Sequence, residues 1–344
     1  MSKIVLRDGK TVGDYYLPYI VAEINTSHFG DIGIAKKMID AAKAIGCNCV
    51  KFQSWSSETL YSKTYYDDNP IAKRFVEKFS FSENELSELA QYCAEIKIAF
   101  ASTPYSSKEV DFLINETNAP FIKVASMDLT NYPFLEYIGK KNIPIVLSTG
   151  MGDAKEIETA VDYIQNTGNN KIIILHCVSI YPPENSTLNL NNIIGLRKKF
   201  PEYPIGFSDH SIGTEMAISA VALGSALIEK HFTLNKNKIG MDNQMATEPD
   251  EMRQLIKQIN NVQIAMGVEE RCVLDAELEQ RDKMRRSVVS TRDIKAGEIL
   301  SKNDLDAKRP GTGISPKKIY DLIGLKVKND ITKDTLLNLE DLLD

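Results

Sequence analysis

The chain has 344 residues, 43% of them apolar and 26% charged, which is the balance of a globular protein. That length is too great for one ordinary core and suits a large barrel with a small companion domain, while the net charge of −6 argues against a nucleic-acid protein. No apolar run reaches the roughly 18 residues of a transmembrane helix, and the opening MSKIVLRDGKTVGDYYLPYIVAE lacks the layout of a signal peptide, so no membrane association is expected. Cys47, Cys49, Cys93, Cys177 and Cys272 form an odd set without zinc-type pairing, which reads as reduced thiols in a cytoplasmic protein.

A hairpin is expected first, turning around Arg7-Asp8-Gly9-Lys10 and placed to plug the bottom of whatever follows. Short β-rich runs then recur at Tyr19–Ile24, Asn48–Gln53, Ile98–Ser102, Phe121–Ser126, Ile143–Ser148, Lys171–Cys177, Pro204–Ser208 and Ala226–Phe232. Amphipathic stretches separate them. IAKKMIDAAKAI has helical spacing from Ile34 to Ile45, and Ser82 opens a capping box closed by Glu85. Further helices are expected over 109–118, 155–166, 190–200, 214–223 and 250–266. This alternation predicts an α/β fold, a (β/α)8 TIM barrel of parallel strands. A doubly wound open sheet is the alternative, weakened because no GxGxxG follows the first strand.

The pattern changes after the barrel. Residues 1–267 are expected to hold hairpin and barrel, 268–284 a charged helical linker, and 285–344 a small β-clip domain with short strand-like runs. That last segment carries a slight excess of cations and the remainder an excess of anions. This is either two ordinary surfaces or a basic domain that helps to hold an anionic substrate.

In such a barrel, chemistry sits where strands end. Glu23, Asn25, Ser27 and His28 end strand one. Lys51 and Gln53 end strand two, and Thr103, Pro104 and Tyr105 follow strand three. Strand four holds Lys123 with Ser126 and Asp128 beyond it. Strand five ends at Ser148, and strand six carries His176, then Ser179 and Tyr181. Ser208, Asp209 and His210 end strand seven; Glu229, Lys230 and His231 end strand eight. All four histidines fall at these ends, and Lys51 and Lys123 lie inside apolar runs, where a lysine is costly unless it meets an anion.

KFQ, STPY, IKVAS, NYP, LSTGM, LHCVSIYP, GFSDHS and EKHFT, followed by KRPGTGIS, occur in this order along nearly the whole chain. Together they resemble the sialic acid synthase family, whose members join phosphoenolpyruvate to an N-acylated hexosamine. The resemblance implies a barrel followed by an antifreeze-like (SAF) domain in a domain-swapped homodimer. It implies a divalent metal, manganese or magnesium, on His210 and His231, and acidic groups Glu23 and Asp242 near the reacting centre. Lys51, Thr103, Lys123, Ser126, Ser148 and Ser208 match residues that hold phosphoenolpyruvate, and Gln53, Tyr105, Asp128, Ser179 and Tyr181 line the neighbouring space. Arg309 matches an arginine that the SAF domain delivers to the partner subunit's site. Ser27 stands where the family usually has asparagine, Met127-Asp128 replaces Gly-Glu, and Met241 replaces proline, which leaves the acceptor sugar open. A related enzyme acting on a phosphorylated aldose would need an added basic cluster, and a non-catalytic homologue would have lost the lysine or histidine positions.

Overall fold

The computed structural model describes residues 2–343, which divide into two compact units, one ending at Gly267 and the other beginning at Val268. In the first unit, Lys3–Val5 pairs antiparallel with Thr11–Gly13 to form the expected hairpin. Eight parallel strands follow: Tyr19–Glu23, Cys49–Gln53, Ala99–Thr103, Ile122–Val124, Ile145–Ser148, Ile172–Cys177, Ile205–Asp209 and Leu227–His231. The ladder runs from the third strand through the second, first, eighth, seventh, sixth and fifth to the fourth, and the third and fourth lie side by side to close a barrel.

The connecting helices begin and end where local chemistry stops them. Asp31 caps Ile32–Ile45 by accepting from the Ile34 amide at 2.9 Å, and Gly46 ends that helix with φ of 99°. Ser82 and Glu85 form the expected capping box of Glu83–Glu95, and Asp153 and Glu156 another for Ala154–Gln165. The sequence pattern does not single out the helix Tyr132–Lys140, whose aromatic opening and Pro133 obscure its apolar spacing. It also passes over Lys63–Asp68 and Pro70–Phe79, inserted after the second strand and packed through Tyr66 and Val76 around Trp55.

Along a strand, alternate side chains face alternate sides. The lower inward positions are apolar: Val21, Cys49, Ala101, Phe121, Val146, Leu175 and Leu227 pack with Ile4, Leu6 and Val12 of the hairpin, which thus stoppers the barrel. One step higher on the same face stand Glu23, Lys51, Thr103, Lys123, Ser148, Cys177 and Glu229. The outward positions join the helices in a second, larger core.

The second unit has its own core of Val288, Ile294, Leu300, Leu305, Ile314, Leu322, Val327, Ile331 and Leu337. Ser287–Ser290 pairs antiparallel with Leu305–Lys308, and Lys326–Val327 with Leu342–Leu343. The helix Asp275–Met284 precedes these strands and buries none of its residues. Among the described residues no helix is long and apolar enough to cross a membrane, and all five cysteines are free.

Gly206 in the seventh strand shows how tightly the barrel interior is filled. A Cβ there would lie 2.6 Å from Leu175 Cδ2 and 2.7 Å from the Leu227 carbonyl oxygen, and backbone cannot yield cheaply. Gly206→Ala is expected to destabilise the barrel by about 1–3 kcal/mol. Gly195→Ala, in the helix Asn191–Lys199 with nothing within 4 Å, is expected to leave the barrel as stable or more so. Thermal unfolding of both variants measures the contrast.

Candidate active site

The upper inward layer opens into a cavity of about 700 Å³ at the carboxyl ends of the strands. Its floor is a network of four charges. Lys51 and Lys123 are 2% and 4% exposed, so each ammonium depends mainly on protein groups for its partners. Lys51 pairs with Glu23, donates to Thr103 Oγ1 at 3.0 Å, and lies 3.7 Å from Glu229. Lys123 donates to Ser148 Oγ at 2.7 Å and lies 3.7 Å from the other oxygen of Glu229. Ser208 donates to Glu229 at 3.0 Å.

The two lysines differ in how well they are neutralised. Burial pulls both down, but Glu229 and Glu23 override it at Lys51, which ends above its ordinary value. At Lys123 burial prevails over Glu229, with repulsion from Lys51 adding to it, and the lysine ends below its ordinary value. Lys123 is therefore the cation with most to gain from an incoming anion. The carboxylates also part. Burial pushes Glu23 up to about 7 against the pull of Lys51, with Glu229 adding to the rise. Burial alone would raise Glu229 as well, but Lys123 and Lys51 hold it below the usual carboxylate range.

Around Glu23 the contacts form a chain. Gln53 Nε2 donates to Glu23 at 2.9 Å, and the Tyr105 hydroxyl donates to Gln53 Oε1 at 2.8 Å. The Asn25 amide donates to Glu23 at 3.0 Å, and the Asn25 side chain donates to Asp242. Ser126 Oγ accepts from the Gly150 amide at 3.0 Å. Asn25 Oδ1, Ser179 Oγ and Glu229 Oε2 are buried without a hydrogen-bond partner among the described residues. Such orphans are what a ligand would satisfy.

His210 and His231 face each other across the cavity edge, their ring centroids 5.4 Å apart, with Tyr181 lying 4.2 Å from the His210 ring. The Val178 carbonyl is 2.9 Å from His210 Nδ1 and can only accept, so Nδ1 carries the proton and Nε2 keeps its lone pair. Burial holds both rings below the ordinary histidine range, His231 most strongly, which keeps them neutral as metal ligands must be. No group of three or more His, Cys, Asp or Glu is set to hold a metal among the described residues. The site thus offers two imidazoles and leaves the remaining positions to water or substrate, which fits a divalent ion that must also meet a substrate oxygen.

Fourteen of the residues expected from sequence line this one cavity: Glu23, Lys51, Gln53, Thr103, Tyr105, Lys123, Ser126, Ser148, Ser179, Tyr181, Ser208, His210, His231 and Asp242. Asp128 does not; it accepts from Asn131 Nδ2 at 3.0 Å and fastens the turn beside the wall. Arg309 is exposed in the second unit, with no hydrogen bond or ion pair among the described residues. Two of the four strand-end histidines serve packing. His28 stacks on Phe81 and accepts from the Gly30 amide, and His176 bonds the Leu188 carbonyl while stacking on Phe207. Glu229, Asn25 and Trp55 line the cavity without having been expected as site residues. Glu229 was legible, since it stands two residues before His231 and shares its face of the strand.

The sequence matches the NeuB family over residues 38–271 and the SAF domain over 285–343. It is 40% identical to uncharacterized protein MJ1065 of Methanocaldococcus jannaschii, over 100% of this chain and 99% of that protein. It is 34% identical to the N,N'-diacetyllegionaminic acid synthase of Legionella pneumophila, over 93% of each. The crystal structure of an N-acetylneuraminic acid synthetase from Leptospira borgpetersenii, in complex with citrate, superposes with a TM-score of 0.75 at 32% identity, covering 81% of this chain and 95% of that one.

The proton on Glu23 makes stability depend on pH. Between its ordinary value of 4.5 and about 7, the unfolded chain has released that proton and the folded chain has kept it. The folded state binds more protons there, so its stability falls as pH rises through that window. Glu23→Gln removes this contribution, so the unfolding midpoint of the ligand-free variant is expected to rise relative to that of the parent as pH goes from 4.5 to 7. Equal slopes would mean that Glu23 is ionised throughout.

Proposed function

Because the chain belongs to the NeuB family, we propose that it is a nonulosonic acid synthase. It joins phosphoenolpyruvate to the aldehyde of an N-acylated hexosamine, takes up water, and yields a nine-carbon 2-keto sugar acid and phosphate. The observation that carries this reading is the pair of buried lysines, one under-neutralised, facing the same cavity as two neutral imidazoles.

Phosphoenolpyruvate brings a carboxylate and a phosphate. Lys51 and Lys123 supply charge-assisted donors, and the hydroxyls of Thr103, Ser126, Ser148 and Ser208 supply neutral ones. A divalent metal on His210 and His231, manganese more readily than magnesium given imidazole ligands, would supply a Lewis acid for the aldehyde oxygen. The C2–C3 π pair of the enol forms the new bond from C3 to the aldehyde carbon, and the former aldehyde oxygen takes a proton and becomes a hydroxyl. C2 is left electron-poor for water while the lysines hold the carboxylate and phosphate in place. Glu23, steadied by Gln53 and Lys51, receives a proton from the water that adds at C2, and the C2–O bond to phosphate then breaks.

The cavity's outer wall is apolar, formed by Trp55, Tyr61, Tyr65, Phe75, Met127 and Met241. Lys51 and Lys123 are the cations among the lining residues, and phosphoenolpyruvate occupies them. This supports an unphosphorylated acceptor, N-acetylmannosamine or a 2,4-diacetamido relative, over a phosphorylated aldose. The active unit in this reading is a homodimer in which the SAF domain of one subunit completes the partner's site with Arg309. The guanidinium's fixed fork of donors suits sugar hydroxyls or an acyl oxygen.

Two experiments test these statements. The protein is incubated with phosphoenolpyruvate, manganese and four acceptors: N-acetylmannosamine, its 6-phosphate, a 2,4-diacetamido hexose and mannose. Phosphate release with a nine-carbon product from an unphosphorylated acylated sugar is expected, and Lys123→Met is expected to lower kcat/KM for phosphoenolpyruvate about 100-fold, in line with roughly 1.5–3 kcal/mol per hydrogen bond to a charged group. Borohydride trapping of a pyruvyl adduct on either lysine would instead mark an aldolase.

The second experiment is subunit mixing. Chains carrying Arg309→Ala and Lys123→Met, each severely impaired alone, are expected to recover up to about half of the parent activity as mixed dimers, since one site is then intact. No recovery in demonstrated heterodimers would remove Arg309 from the partner's site.

A further inference from the structure

Strands seven and eight carry a charged pair on the face opposite the cavity. Ser208, His210, Glu229 and His231 line the cavity. Asp209 and Lys230 alternate with them and so face away from it, toward the helix layer. They are register partners, each 1% exposed, with Lys230 Nζ 2.7 Å from Asp209 Oδ2.

The pair is tied to the backbone as well. Lys230 also donates to the Ser211 carbonyl at 2.9 Å. Asp209 Oδ1 accepts from the Ser211 amide at 2.9 Å and from its hydroxyl at 2.6 Å. The residues before and after His210 are thus bound to one another, and both are bound to the residue preceding His231.

Stability does not account for this arrangement. Withdrawing two charges from water is costly, and apolar residues of similar shape often hold a core as well or better. What the pair supplies that apolar side chains would not is direction, because each contact fixes a particular atom beside a histidine. We propose that Asp209 and Lys230 are positioning residues that hold the imidazoles of His210 and His231 at their mutual separation. The inference rests on the reading of those histidines as the metal-holding pair.

The test uses the full chain in four forms: the parent, His231→Ala, Ser211→Ala, and the apolar double variant Asp209→Leu with Lys230→Met. Manganese affinity is measured by calorimetry without substrate, alongside thermal unfolding and steady-state kinetics. The double variant is expected to unfold within a few degrees of the parent. It is also expected to bind manganese about 10–100-fold more weakly, as with other outer partners of metal ligands. Its kcat falls comparably, while KM for phosphoenolpyruvate stays within about threefold, since the lysines are untouched. Parent-like manganese affinity and kcat in the folded double variant would overturn the proposal.

If the double variant does not fold, Ser211→Ala decides. It keeps both charges and removes one hydrogen bond to Asp209, so manganese binding at least threefold weaker supports the proposal and unchanged binding overturns it. His231→Ala separates the two readings. Parent-like manganese binding there would sink the metal assignment and the proposal with it, whereas lost binding there beside an unaffected pair variant sinks the pair's role alone.

Discussion

Four ionisable side chains share a space with almost no exposure to solvent, and that constraint organises the first unit. Lys51, Lys123, Glu23 and Glu229 are all buried, and none would remain ionised there alone. Their mutual pairing makes them tolerable, yet it is uneven. Lys51 has two carboxylates close by, whereas Lys123 shares one at 3.7 Å and otherwise leans on a hydroxyl and a carbonyl. An interior with formally matched charge can therefore still present an unfilled demand for an anion, and that demand lies beside the two histidines. The closed barrel makes this tenable, since its apolar lower layer and hairpin stopper keep water from entering below.

How much of this the sequence reveals depends on which physical signal carries it. The strands were legible because a parallel strand covered on both faces reads as a β-branched apolar run, as IIILHC does at 172–177. Helices with strong caps were legible for the same kind of local reason. Tyr132–Lys140 was not, since proline and aromatics dominate its first turn, nor were the two inserted helices, whose apolar residues turn toward Trp55. Within the site, position at a strand end gathers candidates but does not say which way each faces. His176 lies one residue before the inward Cys177 and so faces the helices, where it stacks on Phe207. Counting alternation along each strand would have set His176 aside and brought Glu229 in. No such count applies to the loops, which is why Asp128's place outside the cavity and Asn25's role within it emerge only from the fold.

Strands seven and eight are unusual among the eight because each carries a charged side chain on its outward face. The fifth strand keeps Ile145 and Leu147 outward and the second keeps Val50 and Phe52, so in those strands only the cavity face departs from the apolar rule. Asp209 and Lys230 extend the departure to the far face at the edge where the two imidazoles face each other. Holding a lysine-bound anion tolerates small displacements, because charge attraction falls slowly with distance. Ligation by two rings depends on separation and ring angle together. If His210 and His231 hold the metal as proposed, the part of the barrel with the stricter geometric demand is the part with the denser outer bonding.

The loop-borne rim of the cavity is built differently. Met127, Met151 and Met241 stand on loops and are 57%, 73% and 53% exposed, and the neighbouring wall comes from inserted helices rather than from the barrel. Methionine side chains are flexible and readjust to the shape of what they meet. Substitution there would leave the charged floor and the histidine pair untouched, because none of those residues contributes a bond to either. In the proposed function, recognition of the anion and selection of its partner are consequently separable within one cavity, the first assigned to strands and the second to loops. On that reading, Met127 and Met241 would meet the acceptor on those loops while the strand-borne floor holds the anion.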